Sequence, residues 1–152
     1  MASPEQAALA SGLKELVANL FAMYIRAHGA HWNVESAFFG PLHDFFATIY
    51  TDVFASIDPF AEQIRFIQFY APYSLSQLQQ LNSIPEASLP DGNPVPLLAD
   101  LMSINAMVLQ TLYKVRPLAE ATQNFGLANL IDERIDMHNK HAWQLRSHLK
   151  KF

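Results

Sequence analysis

The chain has no cysteine among its 152 residues. Disulfides, thiolate zinc fingers and thiol catalysis are therefore excluded, although the absence says little about compartment. Positive charge is in short supply: 10 Lys and Arg stand against 14 Asp and Glu, for a net charge of −4. The opening stretch MASPEQAALASG brings no basic residue before Lys14, and only Lys150 and Lys151 sit at the other end. Duplex DNA is held mainly by Lys and Arg that neutralise phosphates, so this pattern argues against a DNA-binding tail. Glu5, Lys14 and Glu15 interrupt the start of the chain and leave no signal-peptide core. No apolar run is expected to reach membrane-spanning length. A cytoplasmic location with no membrane partner is the default expectation.

What is abundant is apolar side chain, at 51% of residues, too much for a disordered chain. The length predicts one domain, residues 1–152, with a sizeable core. The apolar spacing is helical. Ser3, Pro4 and Gln6 read as N-cap, first-turn proline and the return half of a capping box. Leu9, Leu13, Leu16, Leu20 and Tyr24 follow, with Val17 and Phe21 widening the stripe. Gly29 is placed to end this helix, and His28 to cap its end or face water. His31 to Phe39 reads as the turn into a second helix, from about Pro41 to Gln68. Pro72, Pro85, Pro90 and the Asp91-Gly92 pair then mark a long connection. One short helix is expected inside it, over Ser74 to Leu81. Asn93-Pro94 opens a third helix carried by Leu97, Leu101, Ile104, Val108, Leu112 and Val115, its end kinked by Pro117. After a break over 119–124, a fourth helix runs from about Gly126 to Lys150. Its stripe is Leu127, Ile131, Ile135, His138, Ala142, Leu145 and Leu149. The fold class is all-α.

The stretch from His31 to Glu62 carries the chemistry. It holds His31, His43, Asp58 and Glu62, ordinary ligands for iron, manganese or zinc. Asp58 and Glu62, four apart, project from one helix face and can hold one metal between them. His43 and Asp58 are fifteen positions apart, about 22 Å along a helix, too far to share that metal. Either these groups serve unrelated purposes, or a second copy of the chain brings its histidines to the carboxylates. A two-fold axis does the latter for both copies at once, and a metal site across a dimer interface is the inference. Taken singly, each histidine is more simply a packed or solvated ring, and the acid pair a wet helix face. Jointly they resist that reading, because the acids lie in an aromatic run that includes Phe45, Phe46, Tyr50, Phe54 and Phe60. Buried acids need a metal, a cation or a hydrogen-bond partner.

His31-Trp32-Asn33, His43 twelve after the first histidine, Asp58 fifteen further on and Glu62 four beyond resemble the signature of the Dps-like mini-ferritins. These are the small members of the ferritin superfamily. The run DERIDMHNKHAWQLRSHL looks like that family's last helix, so the resemblance covers nearly the whole chain. It implies a ferritin-like four-helix bundle with a short extra helix between helices 2 and 3. It implies a homo-oligomer, a dodecameric cage with metal sites on its two-fold interfaces. It also implies ferroxidase activity: Fe²⁺ oxidised by hydrogen peroxide or dioxygen and stored as Fe³⁺, with His31, His43, Asp58 and Glu62 as ligands. Trp32 would lie close to the iron as an electron donor, or pack at the dimer interface.

Two positions depart from the family pattern. An acid is usual four residues after the second histidine, and here that place is Ala47. Asp44 lies about 100° around the helix from His43 and is no obvious substitute. The second iron position therefore loses a ligand. Pro59 follows Asp58 directly and is expected to kink the helix without ending it. His138 with His141 could be ligands, but a satisfied core or interface histidine is the simpler reading. Glu133, Asp136 and His138 make no Glu-x-x-His pair, nor does Glu62 with Arg65 three residues on, which favours an interface site over one inside the bundle. Cages of this family usually line their three-fold channels with acids near the start of the last helix. Here that region offers Asn124, Asn129, Asp132 and Asp136, and the two amides would weaken electrostatic funnelling of Fe²⁺. The rival readings are a non-catalytic cage with a degenerate metal site, and a DNA-protecting coat.

Overall fold

The computed structural model describes residues 1–88 and 91–150. These form five helices and no strand: α1 (Pro4–Asn33), α2 (Phe39–Phe66), α3 (Leu75–Leu81), α4 (Pro94–Ala121) and α5 (Phe125–Leu149). The all-α four-helix bundle with a short extra helix is the architecture expected. Short links join α1 to α2 and α4 to α5, so each pair is an antiparallel hairpin. The long connection between hairpins carries α3, which lies on α1. Lys151 falls outside the described residues, as does Pro90 of the connection.

Local sequence accounts for the helix starts. Ser3 Oγ accepts from Gln6 N (3.1 Å) and Gln6 Oε1 accepts from Ser3 N (3.2 Å), the capping box expected. Ser74 Oγ caps α3 through Gln77 N, and Asn93 Oδ1 caps α4 through Val95 N. Leu13, Leu16 and Leu20 of α1 meet Phe46, Ile49 and Val53 of α2, Leu101, Val108 and Leu112 of α4, and Leu127, Ile131 and Leu145 of α5 in one core.

Several expectations need correction. α1 does not end near Gly29 but runs on to Asn33, so His31, Trp32 and Asn33 form its last turn instead of a loop. Gly29 is tolerated inside the helix because a central glycine costs only about 1 kcal/mol against alanine, and buried Ala27, Ala30 and Val34 anchor that turn. α4 runs into the break expected over 119–124, ending at Ala121, whereas α2 continues through Pro59 to Phe66 as expected. α1 and α4 are each long and apolar enough, by length and composition, to cross a membrane. The expectation to the contrary fails because core helices carry such stretches: 56% of the apolar window of α1 and 50% of that of α4 are buried in the bundle.

Candidate metal centre

The α1–α2 corner places the histidines. Val34 is buried, Glu35 N donates to the Gly92 carbonyl oxygen (2.8 Å), and Phe39 N donates to that of Ser36 (3.1 Å). The chain turns back within 34–38, and His31 near the end of α1 meets His43 near the start of α2. Their rings stack, with centroids 3.6 Å apart at 17°. His31 Nδ1 donates to the His43 carbonyl oxygen (2.7 Å) and His43 Nδ1 donates to the His31 carbonyl oxygen (2.8 Å). A carbonyl oxygen only accepts, so both Nδ1 atoms carry the proton. In the neutral rings both Nε2 atoms are then bare lone pairs. Backbone oxygens that fix a tautomer in this way are the usual outer support of a metal-binding histidine. The donor set fits a transition metal.

His28 does not cap a helix end. It lies inside α1, half-buried, stacked on Tyr50 (3.9 Å, 8°) and 4.0 Å from the Trp32 ring, and Tyr24 Oη shares a hydrogen bond with its Nδ1 (2.9 Å). Burial, and then the neighbouring His31, lower its pKa. Trp32 itself is 63% exposed.

The carboxylates are elsewhere. Asp58 and Glu62 are both exposed, which corrects the expectation that their aromatic surroundings bury them. The aromatic residues divide between faces of α2: Phe45, Phe46 and Phe60 enter the core, while Phe54 (57% exposed) and Phe66 (66%) stay outside. At four-residue steps Phe54, Asp58, Glu62 and Phe66 form one outward stripe. The stacked histidines sit about 22 Å from Asp58, by the helical rise over fifteen residues. Among the described residues, no three His, Asp or Glu side chains of one protomer converge to hold a metal. Ala47, half-buried, offers no ligand one turn from His43, and Asp44 is exposed on another side of α2.

The channel candidates are largely engaged. Asn124 is the N-cap of α5, its Oδ1 accepting from Leu127 N (3.2 Å). Asp132 pairs with Arg116 (2.7 Å), which also holds Glu120 (2.8 Å), and Asn129 donates to Glu133 (3.2 Å).

A second polar cluster, unforeseen apart from His138 and His141, lies where α2, α4 and α5 meet. Arg134 Nη2 donates to both Asp52 carboxylate oxygens (2.8 and 2.9 Å) and His141 Nε2 donates to Asp52 Oδ2 (2.7 Å). Burial pushes the Asp52 carboxyl up, but hydrogen bonds from His141 and Arg134 together with their charge hold it at about 2. Asn105 Nδ2 donates to the His138 carbonyl oxygen (2.9 Å), and its Oδ1 accepts from His138 Nδ1 (2.8 Å). Arg134 and His141 are buried where the sequence stripe placed Ile135 and Ala142, which are only half-buried. One signal was available: Arg134, His138 and His141 lie on one face of α5 at three- and four-residue spacing.

Comparison with known proteins defines the class. A ferritin-like domain model matches residues 10–152. The chain belongs to the ferritin-like family. Within it the relatives include Dps proteins of several bacteria. The crystal structure of the Dps protein of Vibrio cholerae O1, described as a member of a broad superfamily of ferritin-like diiron-carboxylate proteins, is 28% identical. It superposes with a TM-score of 0.89, covering 95% of this chain and 91% of that one. The Dps structure from Bacillus brevis is 26% identical, with a TM-score of 0.92 over 98% and 99% of the two chains. The DNA protection during starvation protein of Brevibacillus brevis is 28% identical over 142 residues, 91% of this chain and 92% of that protein. The Dps-like mini-ferritin reading of the sequence holds.

Proposed function

We propose that this protein is an iron-storage ferroxidase whose oxidation site is shared between two copies of the chain. His31 and His43 of one copy would meet Asp58 and Glu62 of the other. The observation that carries this is the incompleteness of each half. Two half-buried histidines with bare Nε2 lone pairs meet near the start of α2, and two exposed carboxylates stand about 22 Å away along that helix. An antiparallel, two-fold arrangement completes two sites at once. Fe²⁺ is the substrate. Two carboxylate charges favour Fe³⁺ over Fe²⁺ and so lower the cost of oxidation, with hydrogen peroxide as the oxidant. His31, Asp58 and Glu62 hold the tighter iron, and His43, without an acid at Ala47, supports a weaker second one. Trp32, exposed and in ring contact with His28, supplies an electron or packs against the second copy. The assembly is a dodecameric cage in the cytoplasm that stores Fe³⁺ and limits peroxide damage.

The test is anaerobic Fe²⁺ titration followed by peroxide, with Fe³⁺ absorbance recorded. Rapid oxidation at about one to two irons per chain, above a protein-free control, supports the reading. His31→Ala and Asp58→Ala should each abolish tight binding although His31 ends α1 and Asp58 stands far along α2, and retention of binding by either overturns the shared site. Normal assembly with binding but no accelerated oxidation would favour the second reading, a storage cage crippled at Ala47. Some relatives are named for DNA protection. A net charge of −4 predicts that this chain does not retard duplex DNA at physiological salt.

A further inference from the structure

His138 is fully buried and His141 is 3% exposed, yet one ring nitrogen of each has no hydrogen-bond partner among the described residues. The Asn105 amide is oriented by its bond to the His138 carbonyl oxygen, so its Oδ1 faces the ring and takes the Nδ1 proton. His138 is thereby a neutral Nδ1–H tautomer, and its orphan is the bare lone pair of Nε2. The ring of His141 is 5.4 Å away at 81° and is held by Asp52 of α2. This one cluster ties α5 to α2 through Asp52 and to α4 through Asn105.

We propose that the cluster is an acid-sensitive latch, in which a proton taken up at His138 Nε2 releases α5 from α2 and α4. A proton there creates an N–H donor with no acceptor and a buried cation beside Arg134, both costly. The groups that bear on the ring are Arg134 and His141 from α5 and Asp52 from α2, while α4 presents the uncharged Asn105. Arg134 and His141 oppose the proton, and Asp52, the one group favouring it, is already held by Arg134 and His141. Burial leads these causes, and together they hold the His138 pKa well below its ordinary value. An opened α5 would bind the proton near the ordinary value of about 6.5. The closed state is therefore favoured above that pH. As pH falls below it, the opening equilibrium rises about tenfold per unit until the folded pKa is reached.

Hydrogen exchange read by mass spectrometry tests this on the whole chain between pH 7.5 and 5. Amide protection of α5 should fall about tenfold per unit below about 6.5, while central α1 changes less. The double variant His138→Leu/Asn105→Leu, which leaves no amide oxygen without its donor, should lose that dependence. If it keeps the dependence, the latch is not at His138. Should the variant not fold, exchange of the histidine ring C2–H in the natural protein decides. A His138 ring that titrates at the ordinary value with α5 protection unchanged overturns the proposal, and a ring that stays neutral until α5 opens supports it.

Discussion

Each histidine at the α1–α2 corner gives its Nδ1 proton to the other's carbonyl oxygen, so the two rings are set by backbone that α1 and α2 themselves fix. This could not be read from the sequence. The spacing of His31 and His43 marked them as candidate ligands, but their stacking arises only because α1 runs four residues past Gly29. Two substitutions probe the corner. Ala47 is half-buried one turn from His43, so Ala47→Asp places a carboxylate on the same face and should raise the Fe²⁺ stoichiometry toward two per chain. A titration unchanged at about one iron per chain would mean that His43 supports no second iron. Gly92 is needed for a different reason. A Cβ there would lie 2.7 Å from Glu35 N and closer still to the Asn33 carbonyl oxygen, both backbone atoms. Gly92→Ala should cost about 1–3 kcal/mol in chemical unfolding and weaken iron binding through the displaced corner.

Helices were more legible than the contacts between them. The capping box, the short helix after Ser74 and the prolines that open α1 and α4 have local causes and could be read directly. Helix ends were read less well, because buried side chains carry α1 past a glycine and α4 through Ala119 into the expected break. The link between α2 and α5 was not legible at all: Asp52 and Arg134 are 82 residues apart and look like two ordinary surface charges. Its strength has a defined pH signature. The Asp52 carboxyl is held at about 2 when folded, against about 3.9 for a free aspartate. A depressed pKa gives stability that is complete above the unfolded value and is lost as pH falls through the folded one. Asp52→Asn should therefore cost about 2–3 kcal/mol at pH 6. Urea unfolding should show the gap between the two proteins closing from about pH 4 toward pH 2. A gap that stays constant would show that the ion pair does not hold α2 to α5.

At the scale of the molecule, the bundle leaves apolar surface that nothing among the described residues covers. Phe54 and Phe66 flank Asp58 and Glu62 along the outer face of α2, and Trp32 is exposed beside the histidine corner. Large aromatic side chains are enriched at interface cores, and carboxylates set among them would lose water on association and need a cation. In the proposed shared site a metal would supply one, so assembly and metal binding should depend on each other. Phe54 makes ring contact with Tyr24 but is otherwise on the outside, so Phe54→Asp should leave the protomer folded. It would add a third acid one turn from Asp58. Sedimentation should then show smaller assemblies than the natural protein forms, with helical circular dichroism unchanged. Tight Fe²⁺ binding should fall in step, since His31 and His43 would no longer reach the carboxylates of another copy. Full iron binding by a dissociated but folded variant would place the site within one chain.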